Sequence, residues 1–448
     1  MTNTDNIRIK LSNSISLKLI VILILMLLIQ IPLSYVRGLI DERQQMQHQA
    51  QRQISMRWGQ EQYIGAPLLV KYSTQEIVQN IEKKEQRINY QKTDLIQSTN
   101  TNLDINLDAE KRYLGIYEAA IYQAKIKLTG SIKNDISNFQ KSDSLKLFIP
   151  IKQIKSLKKI DAITINGKQL ESLPQQKLLN SLIGIEIDID RNFQNEILNY
   201  KIHMTLAGSG QFDILPLAKE TSVNLQSNWS SPSFTGDTLP DIRDITSHGF
   251  TASWHINNLI QNFTKNKNIG HDSNHNFIME KNLPTIGVKI LIPANIYQVN
   301  ERTVKYSSLI VLLTFAGFFL AELFFKLRLH PFQYLLIGIS LSVFYLLLLS
   351  LSEYLIFNIA FLISASSIIL LIGGYCSVVL QQRNRGIFTG ILFAILYGFI
   401  FILVKAEQTS LLMGAIGIWL ILALIMYLTR KIDWYNINVS TIDKHSSE

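Results

Sequence analysis

Between Ser307 and Leu428 the chain is almost unbroken Leu, Ile, Phe and Val, and polar breaks divide the stretch into five segments. They are Ser307 to Phe325, Phe332 to Leu351, Leu355 to Val379, Ile387 to Val404 and Leu411 to Leu428. Each is close to the ~20 residues that a helix needs to cross ~30 Å of hydrocarbon. A sixth segment, Leu19 to Tyr35, is broken only by Gln30, Pro32 and Ser34 and follows Arg8, Lys10 and Lys18. No small-x-small cleavage site follows it and its apolar part is long for a signal core, so it reads as an uncleaved anchor. The expected fold is therefore a membrane α region of one N-terminal and five C-terminal transmembrane helices.

Orientation follows from positive charge in the short connections. Lys326 and Arg328 share one loop, Arg383 and Arg385 another, and Arg430 with Lys431 follow the last span. The alternate loops hold no Lys or Arg (Ser352 to Tyr354) or one Lys beside an acid (Lys405, Glu407). This alternation predicts both termini in the cytoplasm and residues 37–306 outside. The predicted domains are thus 1–36, cytoplasmic N-terminus and first span; 37–306, extracytoplasmic; 307–428, five helices; and 429–448, a cytoplasmic tail.

The 37–306 region is built for water, being rich in Asn, Gln, Lys and Ser. It opens on a helical pattern, Met46, Ala50, Ile54 and Trp58, which Gly59 and the Gly65-Ala66-Pro67 turn end. The period then changes to two, as in Ile183, Ile185, Ile187 and Ile189, or Ile126 and Leu128. Similar runs at Ile202 to Leu206, Val223 to Trp229, Phe250 to Ile256 and Gly287 to Ile292 predict an extracytoplasmic β-rich domain of antiparallel strands.

The formal net charge of +9 raises nucleic acid as a partner, but Lys and Arg are scattered among Asp and Glu with no long basic run, which argues against it. The one cysteine, Cys376, lies in an apolar segment and can form neither an internal disulfide nor a CxxC metal site. HExxH, GxSxG, GxxxxGK[ST] and GxGxxG are all missing, so no cofactor and no enzymatic activity is expected. Ser209 in LAGSGQF lacks nucleophile-elbow spacing and reads as a β-bend. His271 and His275 flank Asp272 in a Gly/Asn/Asp/Ser-rich stretch, a loop composition rather than a fixed metal scaffold.

Glu322 is the main candidate inside a span, because an ionised carboxylate in hydrocarbon costs several kcal/mol unless paired or hydrated. Lys326, four residues on, is placed to pair with it on one helix face. Glu353 reads as a solvated helix end. Trp229, Pro232 and Phe234 in SNWSSPSF could stack on a sugar or peptide, although a buried turn closing the β-domain is the simpler reading. Trp434 and Tyr435, after Arg430 and Lys431, fit an interfacial anchoring belt.

Several strings carry a family resemblance. RGLIDER (Arg37 to Arg43), IGAPLLVKY (Ile64 to Tyr72), LGIYEAAIYQAKIKLTGSI (Leu114 to Ile132) and LAGSGQFDILPL (Leu206 to Leu217) come first. SNWSSPSFTGDTLP, GFTASWHI, KYSSLIVLLTFAGFFLAELFF, RLHPFQYLLIGISL, LLLSLSEY and YLTRKIDWY follow in order. Together they resemble the CreD family of bacterial inner-membrane proteins, also described as colicin-tolerance or cell-envelope-integrity proteins. Serines at 230 and 231 replace the family's Pro-His, Tyr354 a His and Lys71 a proline. The resemblance implies an inner-membrane protein whose level affects envelope properties and colicin tolerance, and it brings no biochemical activity. The expected partners are the lipid bilayer and an envelope or membrane protein. The alternative is a transporter or channel component, which would need inward-facing polar groups near mid-membrane, broken half-helices or repeats.

Overall fold

The computed structural model describes residues 15–430 apart from 82–83, 134–142, 171–173, 180–181, 190–196, 258–282, 293–295, 326–328, 380–381 and 407–408. The chain forms two compact units, Met1–Met46 with Ala294–Glu448, and Gln47–Pro293.

The first unit is helical. Helix α1, Ile15–Trp58, runs without interruption for 44 residues and contains Pro32. It stops where Gly59 adopts φ +152°, a conformation that needs glycine, and the Gly59 amide closes the last turn on Ser55 O at 2.9 Å. The other helices are α2 (Ile296–Lys305), α3 (Ser307–Phe325), α4 (Pro331–Ser352), α5 (Phe357–Val379), α6 (Arg383–Lys405) and α7 (Ser410–Thr429). Helix α2 lies in the stretch that the sequence pattern assigned to the β-rich domain. Among the described residues five helical segments are long and apolar enough to cross a membrane: Leu17–Trp58, Ile296–Glu322, Pro331–Ser352, Phe357–Val379 and Arg383–Lys405. The sixth predicted segment, Leu411 to Leu428, falls within α7.

Helix α4 shows how such a segment is specified. Pro331 occupies its first turn, His330 Nδ1 accepts the Phe332 amide at 3.2 Å, and Gln333 returns the favour by accepting the His330 amide at 2.9 Å. Tyr334, Ile337, Leu341, Phe344, Tyr345 and Leu348 recur every three or four residues on its buried face, while Leu336, Ile339, Val343 and Leu346 are exposed. Packing rather than water exclusion must hold apolar helices together in lipid. Phe344 supplies it, 4.6 Å from the Tyr397 ring of α6 and 5.5 Å from Phe361 of α5. Gly373 of α5 faces Gly386 and Gly390 of α6, which allows close approach of these two backbones.

Among the described residues the second unit forms three sheets. The largest has eight strands in the order Ile242–Thr246, Gly249–Asn257, Glu220–Ser227, Asn100–Leu114, Tyr117–Lys133, Ile197–Ser209, Leu157–Ile165 and Lys168–Gln169. A five-stranded sheet orders Lys84–Gln97, Leu68–Ile81, Ser144–Pro150, Leu182–Asp188 and Gln175–Leu179, and a four-stranded one Gln62–Gly65, Gln211–Leu215, Ile286–Ile290 and Pro232–Gly236. The pairing is mostly antiparallel, as the strand pattern predicts. Two ladders depart from it: Glu220–Ser227 runs parallel to Asn100–Leu114, and Gln62–Gly65 parallel to Gln211–Leu215. Both join distant segments, for which alternation fixes the buried face but not the direction of the partner.

One core serves all three sheets, drawing Leu103, Ile126 and Ile202 from the largest, Leu69, Leu147 and Ile185 from the second, and Phe212 and Val288 from the third. Each fully buried side chain of this kind contributes ~1.5–3 kcal/mol. Two cross-strand pairs set the packing between central strands: Tyr200 opposes Gly130 and Tyr122 opposes Gly208. A Cβ at Gly130 would collide with the Tyr200 hydroxyl and Asn100 O, so glycine is required for the ring to lie across the strand. The Tyr200 hydroxyl, 2.6 Å from Thr101 Oγ1, has its pKa pushed up to about 12 by burial.

Candidate functional site

In the helical unit two acids with largely buried side chains, Glu322 and Glu353, each gather partners from other helices. Glu322 of α3 is 7% exposed and forms an ion pair with Lys18 of α1. Its carboxylate also accepts the Leu329 amide at 3.0 Å and the Tyr334 hydroxyl at 3.3 Å. One acid thereby ties α1, α3 and the start of α4, with three donors satisfying a group that would be costly alone. Lys326, the base expected beside Glu322, lies outside the described residues. Glu353, expected to be a solvated helix end, instead has a side chain only 8% exposed, 3.5 Å from Arg43 Nε and accepting the Tyr297 hydroxyl at 3.3 Å. The reason is that α2 packs on α4 there, and Asn300 Nδ2 donates to Ser352 Oγ at 2.7 Å beside it. Neighbour spacing could not show a base contributed from the far end of α1.

In the β unit, Trp229 sits in the core at 9% exposed, and its indole N–H donates to Leu291 O at 2.8 Å. Phe234 packs edge-on against Phe250 at 5.7 Å and Trp254 at 5.9 Å. The two rings are engaged in packing. Ser209 is buried at the end of its strand and donates to Ser55 Oγ at 2.7 Å, with Gly210 turning the chain at φ +72°. His271, Asp272, His275 and Trp434 lie outside the described residues. Among the described residues no three His, Cys, Asp or Glu side chains gather as metal ligands would.

What strand alternation also creates, and the apolar half of the pattern conceals, is a polar face on the eight-stranded sheet away from the core. Register aligns Ser253, Asn224, Asp104, Lys127 and His203 in one row across five strands. The next row is Thr251, Gln226, Asn106, Lys125, Thr205 and Lys159. These rows floor a groove of ≈ 840 Å³, walled at one side by Ile242 and at the other by Asp161. Charge is divided along it. Asp104 accepts from Asn224 Nδ2 at 3.1 Å, and Lys159 is 2.5 Å from Asp161. Lys125 and Lys127 are exposed and form no ion pair among the described residues. His203 Nε2 is buried without a hydrogen-bond partner. Sequence reasoning missed these residues because it scored only the apolar positions. The signal was present in Asp104/Asn106, Lys125/Lys127, His203/Thr205 and Asn224/Gln226, each two apart on one strand.

The sequence profile described as "Inner membrane protein CreD" matches residues 14–435. The chain belongs to the CreD family. The Escherichia coli (strain K12) inner membrane protein CreD is 29% identical to it over 422 residues, 90% of each chain. Membership in the CreD family, with several apolar helices, makes this a multi-pass inner-membrane protein. The solved structures that overlap it do so weakly. Leukotriene A4 hydrolase from Saccharomyces cerevisiae has a TM-score of 0.24 at 11% identity, covering 45% of this chain and 30% of that one. An M1 zinc metallopeptidase from Deinococcus radiodurans has a TM-score of 0.19 at 8% identity, covering 36% of this chain and 38% of that one. At that level they bear on neither fold nor activity.

Proposed function

We propose that this protein contributes to cell-envelope properties and colicin tolerance as a non-enzymatic membrane protein, through a ligand- or partner-binding domain held outside the cytoplasm. The observation that carries the reading is the groove on the eight-stranded sheet, a concave array of side-chain donors and acceptors fixed on rigid strands. In this reading six helices cross the membrane, α7 included, with both termini cytoplasmic and residues 37–306 outside. The charge of the short connections supports that orientation.

Two experiments test it. Reporter fusions near Asn100 and Gly236 should report an external location, and fusions at Arg383 and the C-terminus a cytoplasmic one. An active cytoplasmic reporter at Gly236 overturns the orientation. In a deletion strain, full-length protein should restore detergent, dye and colicin responses, while the soluble β unit and the helical unit expressed separately should not, because tethering raises effective concentration at the membrane. Restoration by the helical unit alone would remove the binding domain from the function.

A second reading, a transporter or channel component, draws on a different observation. Thr314, Tyr345, Ser364 and Tyr397 bury their hydroxyls between α3, α4, α5 and α6 without hydrogen-bond partners. Polar groups inside a bundle can mark a path, and loss of envelope function in Tyr397→Phe at normal abundance would favour this reading.

A further inference from the structure

The groove floor is more than one cavity. A second hollow of ≈ 340 Å³, reaching Asp244 and His248, shares Asn106, Gln226 and Thr251 with the first. The two form one trough crossing the strands from Lys159 to His248. Six paired strands at ~4.8 Å spacing give a floor ~24 Å long. A trough of that length suits an extended chain rather than a compact small molecule.

Its chemistry narrows the class. Backbone N–H and C=O groups of these strands are consumed in the ladders, so recognition falls to side chains and cannot proceed by strand addition. On the half formed by Glu220–Ser227 and Gly249–Asn257, the floor is amide and hydroxyl: Asn224, Gln226, Thr251 and Ser253. Each of these groups both donates and accepts, the property needed to meet hydroxyls that do the same. Within each row the side chains repeat at the strand spacing of ~4.8 Å, close to the length of one pyranose ring. On the other half, Lys125 and Lys127 project from one strand ~7 Å apart; neither forms an ion pair among the described residues, and Asp104, opposite Lys127 in the register, is engaged by Asn224. Two ammoniums so placed repel each other, and an anionic group seated between them relieves the repulsion and gains charge-assisted hydrogen bonds.

We propose that the trough binds an acidic glycan, an extended polyhydroxylated chain whose carboxylate or phosphate groups lie over Lys125 and Lys127 and whose hydroxyls meet Asn224, Gln226, Thr251 and Ser253. The proposal deepens the binding-domain reading above and rests on it for its biological setting.

The test uses purified full-length protein in lipid nanodiscs and calorimetric titration with a short oligogalacturonate, its methyl ester, a phosphorylated neutral oligosaccharide and a polyglutamate peptide. The oligogalacturonate or the phosphorylated chain should bind, and which one does identifies the anion. Neutralising the bound chain's acids should weaken binding about tenfold or more. Lys125→Gln/Lys127→Gln should cause a similar loss for the acidic chain and abolish its salt dependence, leaving the ester unaffected. Asn224→Ala/Gln226→Ala should weaken charged and neutral forms by the same factor. Melting curves matching wild type should accompany both variants, since all four side chains are at the solvent face. Equal binding by Lys125→Gln/Lys127→Gln, equal or tighter binding of polyglutamate, or failure of both acidic chains to bind would each overturn the proposal. Because the titration is blind to membrane orientation and phenotype, a failed reporter or complementation experiment would sink the envelope reading without touching this one.

Discussion

Replacing Glu322 by alanine probes how the helical unit is held together. The carboxylate has three donors: the Lys18 ammonium, the Leu329 amide at 3.0 Å and the Tyr334 hydroxyl at 3.3 Å. Leu329 and Tyr334 are 7% and 1% exposed, so alanine leaves two buried donors without an acceptor, each costing ~1–3 kcal/mol. Lys18 has a side chain 31% exposed and can carry its charge toward water, which lowers its share of the loss. The expected destabilisation is ~3–5 kcal/mol, the range for breaking a buried pair from one side. Glutamine keeps one acceptor oxygen for Lys18 and Leu329 but loses the charge and turns the second oxygen, which faces the Tyr334 hydroxyl, into an amide donor, at ~1–2 kcal/mol. Heating detergent-solubilised protein and following the monodisperse peak by size-exclusion chromatography should therefore rank wild type above Glu322→Gln above Glu322→Ala, with the alanine variant accumulating poorly in membranes. Lys18→Met should cost at least ~1 kcal/mol less in the alanine background than it does alone, the coupling expected of an interacting pair. An alanine variant that melts with wild type would refute the bracing role. Loss of envelope function in Glu322→Gln at normal abundance would assign the acid to proton or substrate transfer instead.

Gly130→Ala should destabilise the β unit by ~1–3 kcal/mol, since the added methyl meets the Tyr200 hydroxyl and Asn100 O, and Tyr200→Leu in the same chain should recover part of the loss in thermal melts. Asp213 has its carboxyl pKa raised, chiefly by burial and against the hydrogen bond from Gln211. Its folded pKa lies above its unfolded one, so its contribution to stability is fully present below the unfolded value and is lost as pH rises through the folded one. Asp213→Asn should therefore melt above wild type near about pH 7 and lose that advantage near about pH 3; a constant difference across that range would show that ionisation is not the cause.

Local regularities made much of this protein readable from its residues. Apolar length marked the helices, and alternation at Ile183 to Ile189, Ile126 to Leu128 and Phe250 to Ile256 marked strands that the structure contains as Leu182–Asp188, Tyr117–Lys133 and Gly249–Asn257. The Met46, Ala50, Ile54 and Trp58 spacing reflects a helix that ends at Trp58, whose indole N–H donates to Tyr122 O at 3.1 Å. What escaped were relations between distant residues. Lys18 and Glu322 stand 304 positions apart, and Glu353 meets an arginine and a tyrosine from two other helices. Alternation says which side chains share a face, but the row from Ser253 to His203 exists only through register. The parallel placement of Glu220–Ser227 is a matter of topology, to which periodicity is blind.

That placement has a consequence for biosynthesis. Asn100–Leu114 pairs on one side with Tyr117–Lys133, the next strand made, but its other side waits for Glu220–Ser227, aligned residue for residue from Asn100↔Glu220 to Leu107↔Ser227. The partner emerges 120 residues later, which at ~5–20 residues per second leaves the edge unpaired for ~6–24 s on every ribosome. Gln62–Gly65 waits longer still, for Gln211–Leu215. A nascent chain halted before Glu220 would thus display an open, hydrogen-bonding edge, a template for pairing with a neighbouring chain, and the late-made strands are what turn it into the middle of a sheet.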